Sequence, residues 1–126
     1  MPQTGRIVLT IRDYSILESR LHRGAEGFDA LDGMLRAKLR AAKVVSADEI
    51  EPDFVTLNSR VRFRVDHRPA EERTLVGDPD HQVRGFTLHI WTARAIAMIG
   101  MQAGSSVAIP RVDGSRQILH VEAVLY

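Results

Sequence analysis

The chain has 126 residues, about the size of one domain, and its 44% hydrophobic and 26% charged content is typical of a globular protein rather than a disordered chain. The net charge of +1 excludes nucleic-acid binding driven by bulk positive charge alone. Cysteine is absent, which excludes disulfides, thiolate nucleophiles and cysteine-ligated metal sites.

The sequence shows no targeting or membrane segment. Residues 1–12 contain no apolar stretch of signal-peptide length, and no segment approaches the ~20 apolar residues that a membrane span requires. We therefore expect a cytoplasmic protein without membrane contacts.

After a short β-like start at residues 7–11, the first part of the chain has a helical period. Asp13 is placed to cap a first helix, whose apolar residues recur three and four positions apart: Tyr14, Leu17 and Leu21. Gly24 and Gly27 interrupt the pattern. A second apolar stripe then continues to about Val45, at Leu31, Leu35, Leu39 and Ala42. This pattern predicts a short antiparallel helical hairpin.

The second predicted helix ends in a group of cations: Arg36, Lys38, Arg40 and Lys43. Positive side chains near a helix C-terminus are favoured by the helix dipole and by solvation. We interpret this group as local dipole and solubility chemistry.

From Val55 to Val65 apolar and polar residues alternate, which predicts a strand with one buried and one solvated face. Further strands are expected at residues 74–76, 86–91, 107–109 and 118–125, with Phe86, Leu88 and Ile90 on the core side. The Asp113-Gly114 pair predicts a hairpin between the last two strands, and Pro110 places its strand at an edge or a bend.

One helix is predicted between these strands, from Thr92 to Gln102, with Gly104 as its C-terminal cap. The sequence therefore predicts an α+β fold in which a helical hairpin, residues 1–48, precedes an antiparallel sheet domain with one helix, residues 49–126.

No enzyme signature is present. The five histidines lack the i, i+4 spacing of a helical metal pair, and neither a phosphate-binding glycine loop nor a nucleophile elbow occurs. Asp78, Asp80 and His81 could orient an ion, but a tight polar turn has the same composition. We predict no catalytic residue, no metal and no cofactor.

The acidic residues Glu26, Asp29 and Asp32 lie in or just after the predicted hairpin tip. Carboxylates at such a tip could hold Mg²⁺ in the active site of another protein. Alternatively, Asp29 caps the second helix and Asp32 complements its dipole.

Two features of the sheet region could contact a partner. Arg60, Arg62 and Arg64 form a basic stripe on one strand face, which could contact an acidic surface or simply be solvated. Trp91 could anchor an interface or pack under the helix that follows it.

Three sequence blocks, residues 53–63, 73–76 and 98–104, resemble the C-terminal domain shared by the GreA and GreB transcript cleavage factors and by the Rnk regulators of nucleoside diphosphate kinase. The likeness covers roughly residues 44–126. With the short hairpin before it, the layout of the whole chain is most similar to the Rnk type.

This resemblance implies an FKBP-like C-terminal domain, a coiled-coil hairpin, and bacterial RNA polymerase core as the partner, bound at its secondary channel. Nucleic acid would be reached only through the polymerase. The partner-binding residues expected on this basis are Arg23, Glu26, Asp29 and Asp32 at the hairpin tip and Arg60, Arg62, Trp91 and Arg94 in the C-terminal domain.

The chain departs from the cleavage factors in its loop Asp78-Pro-Asp-His81 and at Ala93 and Ala95, and its tip lacks their acidic motif. A predicted arm of about 12–16 residues reaches only ~18–24 Å. We therefore expect a non-catalytic transcription regulator. The alternatives are a cleavage factor that acts through the tip carboxylates and an FKBP-like adaptor for another protein.

Overall fold

The computed structural model describes residues 6–23, 30–77, 86–111 and 113–125. They form a mixed α+β fold of three helices and seven strands, with the following bounds: β1 Val8–Thr10, α1 Ile11–Arg23, α2 Ala30–Ala41, β2 Lys43–Val45, β3 Arg60–Val65, β4 Glu71–Val76, β5 Thr87–His89, α3 Ala93–Met98, β6 Ser106–Pro110 and β7 Arg116–Val124. The predicted α+β class is confirmed.

Helix α1 starts three residues earlier than predicted, and its cap is Thr10 rather than Asp13. The Thr10 Oγ1 accepts a hydrogen bond from the Asp13 N–H over 3.0 Å, which satisfies one of the free donors at the helix start. Asp13 itself is buried, and its Oδ2 accepts from the Leu57 N–H over 3.0 Å. Asp13 therefore joins α1 to the segment that precedes β3.

Helix α2 ends at Ala41, and the residues predicted to continue it to Val45 form β2 instead. Strand β2 pairs in parallel with β1, and the Lys43 N–H also donates to the Ile7 carbonyl over 2.9 Å. The branched side chains of Val44 and Val45 favour this extended conformation. Helices α1 and α2 contact one another; the antiparallel hairpin itself stays a prediction.

The larger sheet has the strand order β5-β4-β3-β7-β6. Three of its four pairings are antiparallel, but β4 and β5 are parallel, so the expectation of a purely antiparallel sheet is wrong. Parallel pairing requires a crossover connection between the two strands, and residues 78–85, which lie between them in the sequence, are outside the described residues. The β6–β7 hairpin and the edge position of Pro110 are confirmed.

Strand β3 starts at Arg60, five residues later than the alternation predicted. Residues 56–59 form a turn, in which Asn58 has a φ of 74° and its N–H donates to the Leu75 carbonyl. Val55 is nevertheless buried, as the alternation predicted. On the neighbouring edge, Phe86 lies before β5 and is exposed, which corrects its assignment to the core.

Helix α3 is half as long as predicted. Thr92 caps it by accepting from the Ala95 N–H, and the helix ends at Met98 because Ile99 leaves the helical region and Gly100 has a φ of 84°. Gly104 also has a positive φ, but it lies in a later turn and is not the helix cap.

One hydrophobic core includes residues from both predicted parts of the chain. Leu9, Leu17 and Leu35 from the N-terminal part share it with Phe63 and Ile96 of the sheet region. The division at residue 48 and an FKBP-like arrangement of the second part stay predictions. No helix among the described residues is long and apolar enough to cross a membrane.

Candidate functional site

The predicted hairpin tip is described only at its borders. Arg23 is the last residue of α1, whereas Glu26 and Asp29 lie outside the described residues. Asp32 lies in the first turn of α2, where it is buried and its Oδ1 accepts from Arg20 Nε over 3.3 Å. This position matches the dipole-complementing alternative for Asp32, and its pairing ties α1 to α2.

Arg20 also connects this region to Trp91. Its guanidinium lies 5.4 Å from the centre of the Trp91 ring, within the range of a cation–π contact. Trp91 is half-buried and packs against the hydrophobic core. The two alternatives for Trp91, core packing and an interface anchor, are therefore compatible, because part of the ring packs inward and part stays accessible.

The arginines of β3 are matched by acidic residues on the neighbouring strands. Arg60 and Arg62 both bind Glu72, at 3.1 and 2.7 Å, and Arg64 binds Glu122 at 3.2 Å. Hydrogen bonds, first from Arg62 and then from Arg60, keep the pKa of Glu72 below its ordinary value. Three arginines thus share two glutamates, and the stripe is a partly neutralised surface rather than a purely basic one.

Arg94 lies near a second such group. Its Nη1 is 3.5 Å from Glu71 Oε2, while Arg73 Nη2 is 2.9 Å from the other Glu71 oxygen. Trp91 precedes α3 and Arg94 lies in its first turn, three positions later. These two predicted contact residues are therefore neighbours at the start of this helix. Arg60 and Arg62 lie on β3, which is separated from β5 by β4.

Lys38 does not belong to the solvated group of cations predicted at the end of the second helix. It is buried, and its Nζ donates hydrogen bonds to the carbonyls of Ala97 and Ile99 over 2.7 and 2.6 Å. Burial lowers its pKa to about 7. A signal was available, since Lys38 follows Leu35 by three positions and precedes Ala42 by four, which places it on the apolar stripe.

Metal-ligand side chains do not cluster in the part of the chain that the structure describes. No group of three or more His, Asp or Glu residues there could hold a metal ion. The loop residues Asp78, Asp80 and His81 lie outside the described residues. The expected absence of a metal and of a catalytic residue stays a prediction.

No protein-family model and no curated protein matches the chain. Among solved structures, the fold is similar to the prokaryotic transcription elongation factor GreA/GreB from Nitrosomonas europaea, with a TM-score of 0.71 and 30% sequence identity. This match covers 98% of the present chain and 100% of the other.

Two weaker matches are the Gfh1 proteins of Thermus thermophilus and Thermus aquaticus. They are 14% and 15% identical, with TM-scores of 0.44 and 0.48, over 97% and 96% of this chain and 100% and 99% of theirs. Such low values carry no argument, but the Nitrosomonas match spans both chains at appreciable identity. The chain therefore belongs to the GreA/GreB family of prokaryotic transcription elongation factors.

Proposed function

We propose that this protein is a non-catalytic, RNA polymerase-binding transcription regulator of the Rnk type. It docks at the secondary channel of the polymerase and there competes with transcript cleavage factors. The observation that carries the proposal is the likeness to a GreA/GreB elongation factor over the full length of both chains. That match includes the helices as well as the sheet, so the likeness is not limited to a shared sheet domain. A shared partner explains such a full-length likeness most simply.

The dimensions of the helices support the non-catalytic part of the proposal. Helix α1 has 13 residues and α2 has 12, which correspond to about 20 and 18 Å. An antiparallel arm of this length carries few groups deep into a channel. Asp32, one of the three candidate carboxylates, is buried against Arg20 and would have to leave that pair to bind a metal.

The sheet region supplies most of the docking energy in this proposal. The Arg62 side chain is 44% exposed, and Trp91 and Arg94 retain accessible surface at the start of α3. Arginine and tryptophan are the residue types that most often dominate interface energetics. The FKBP-like adaptor for a different partner remains the alternative if these side chains bind something other than polymerase.

The test is equilibrium binding to purified RNA polymerase core, followed by competition with a cleavage factor. We expect saturable binding, and we expect excess protein to displace the cleavage factor, because two proteins at one channel mouth exclude each other by mass action. Simultaneous binding of both proteins would contradict a shared site, and absence of binding would favour the adaptor.

A matched pair of variants tests the docking surface. Arg62→Glu should weaken polymerase binding at least tenfold, whereas Arg116→Glu, at an exposed position of β7 outside the proposed surface, should not. Arg62→Glu replaces the exposed Arg62–Glu72 pair, which contributes about 0–1 kcal/mol, by two like charges at directly opposed positions. Urea unfolding of both variants therefore accompanies the binding measurement. Equal effects of the two variants would indicate only a general charge effect.

A further inference from the structure

A small pocket lies between α2, α3 and the edge strand β6. Its volume is about 140 Å³, close to that of an engineered protein cavity of roughly 150 Å³ that binds benzene. Its walls come from all three elements and include Met34, Ala37, Lys38, Ile96, Ala97 and Val107. We call it the Lys38 pocket. A space of this size holds a molecule of about six non-hydrogen atoms.

Lys38 is the one charged residue in the wall of this otherwise apolar pocket. An ammonium group has three N–H donors, and two of those on Lys38 bind the carbonyls of Ala97 and Ile99. No described residue accepts the third. In its protonated form Lys38 is therefore a buried cation with one unused donor, which is costly, and an anion in the pocket would offset that cost.

The charged groups on the surrounding elements leave this position open to an anion. On α2, Asp32 is paired with Arg20, and Arg36 and Arg40 are exposed. On α3, Arg94 lies against Glu71, and β6 has no charged residue. Burial is the cause of the lowered pKa of Lys38, and no described carboxylate counteracts it.

We propose that the Lys38 pocket binds a small apolar carboxylate of about six non-hydrogen atoms. Its hydrocarbon chain fills the space among the apolar side chains, and its carboxylate accepts the third N–H of Lys38. Pockets of this kind, apolar with one convergent polar group, are the usual form of small-molecule sites. This inference goes beyond the proposed function and does not depend on polymerase binding.

Butyrate is a suitable probe, with butan-1-ol and butylamine as controls of similar size. We expect butyrate to cause saturable backbone amide shifts in nuclear magnetic resonance spectra of the whole chain, confined to the pocket walls. Butanol should bind at least tenfold more weakly, because it lacks the charge, and butylamine should not bind. Equal binding of butyrate and butanol would overturn carboxylate recognition, and absence of butyrate binding would overturn the site.

Substitutions on α2 locate the site without altering Lys38. Ala37 lines the pocket and is exposed, so Ala37→Leu should fill the entrance and abolish the butyrate shifts. Ala41→Leu, at the exposed end of the same helix, should bind butyrate like the wild type. Unchanged binding by Ala37→Leu would refute the assignment to this pocket.

The role of the charge is tested by Lys38→Met and by pH. The variant should lose the preference for butyrate over butanol. In the wild type the affinity for butyrate should fall severalfold from pH 6 to pH 8, as Lys38 loses its proton. A pH-independent affinity would contradict the proposal even if Lys38→Met does not fold.

Discussion

Gly100 lies where three segments of the chain meet. Its carbonyl accepts from the Val8 N–H, and its own N–H donates to the Val55 carbonyl. Its φ of +84° is a conformation that residues with a Cβ rarely adopt. An added Cβ would also lie 2.9 Å from Leu9 Cδ2 and 3.0 Å from Ile7 Cγ2. Both the backbone conformation and the packing therefore require glycine here.

We predict that Gly100→Ala lowers the free energy of unfolding by about 2–4 kcal/mol, through the left-handed backbone and the steric overlap together. Gly114→Ala, which shares the positive φ but has open space around it, should cost only ~1–2 kcal/mol. Gly33→Ala, within α2 and also in open space, should stabilise by ~0.5–1 kcal/mol. Urea unfolding measures all three, and equal costs at Gly100 and Gly114 would contradict the packing argument.

Lys38 makes stability depend on pH in a predictable direction. Its pKa of about 7 in the folded state lies below the ordinary value of 10.5. Above pH 7 the unfolded chain therefore keeps a proton that the folded chain has lost, so unfolding takes up a proton and the free energy of unfolding rises with pH. The expected slope is at most ~1.4 kcal/mol per pH unit.

This prediction is measured by urea unfolding between pH 7 and pH 9 for the wild type and Lys38→Met. The difference between the two proteins removes the contribution of every other titrating group. The free energy of unfolding of the wild type should rise relative to that of Lys38→Met as pH rises. A constant difference would show that Lys38 keeps its proton in the folded state.

At the scale of single residues, the sequence identified side chains but not their partners. Thr10 caps α1 in place of the predicted Asp13, because the helix starts where β1 ends. The end of β1 is set by its pairing with β2, which local sequence does not show. Lys38 was assigned to solvent by its charge, although its position on the apolar stripe indicated burial. Its acceptors, on α3 and directly after it, lie about 60 residues further along the chain.

Strand β3 shows what alternation predicts well. Val61, Phe63 and Val65 are fully buried, while Arg62 and Arg64 are exposed, as the period of two requires. The face of the strand was therefore predictable from local sequence. Its starting point was not, because Asn58 adopts a positive φ to complete a turn against Leu75.

Phe63 provides a quantitative test of that face. Phe63→Ala should lower the free energy of unfolding by about 3–5 kcal/mol, because a fully buried ring leaves a cavity. The control is Phe86→Ala, which removes the same ring from a site that is 55% exposed and should change stability by only ~0.5 kcal/mol. Chemical denaturation measures both variants. A small effect at Phe63 would show that its side chain faces solvent rather than the core.

Other elements were set by pairing rather than by local pattern. The C-terminal end of the second predicted helix became β2 because β1 offered it a parallel partner. Helix α3 stopped at Met98, since the carbonyls and N–H groups of the next residues bind β1, Lys38 and Val55. Local periodicity carries no information about these distant partners, so the second and third helices were predicted to extend further than they do.

At the scale of the whole molecule, the two predicted parts are joined by specific bonds. Lys38 binds α3, Asp13 binds the Leu57 N–H, and Val8 binds Gly100. The change of hydrophobic period near residue 50 identified two kinds of secondary structure correctly, but it carried no information about this shared core. Movement of the helices relative to the sheet therefore has to break several buried contacts.

RNA cleavage in purified backtracked polymerase complexes tests most sharply whether this family member binds polymerase without stimulating cleavage. We expect no cleavage above the polymerase alone, and slower cleavage when excess protein is added with an active cleavage factor. The combined change of Glu26, Asp29 and Asp32 to Ala should leave polymerase affinity within about tenfold, ~1.4 kcal/mol. Strong cleavage by the wild-type protein, abolished by that triple change, would instead identify a cleavage factor.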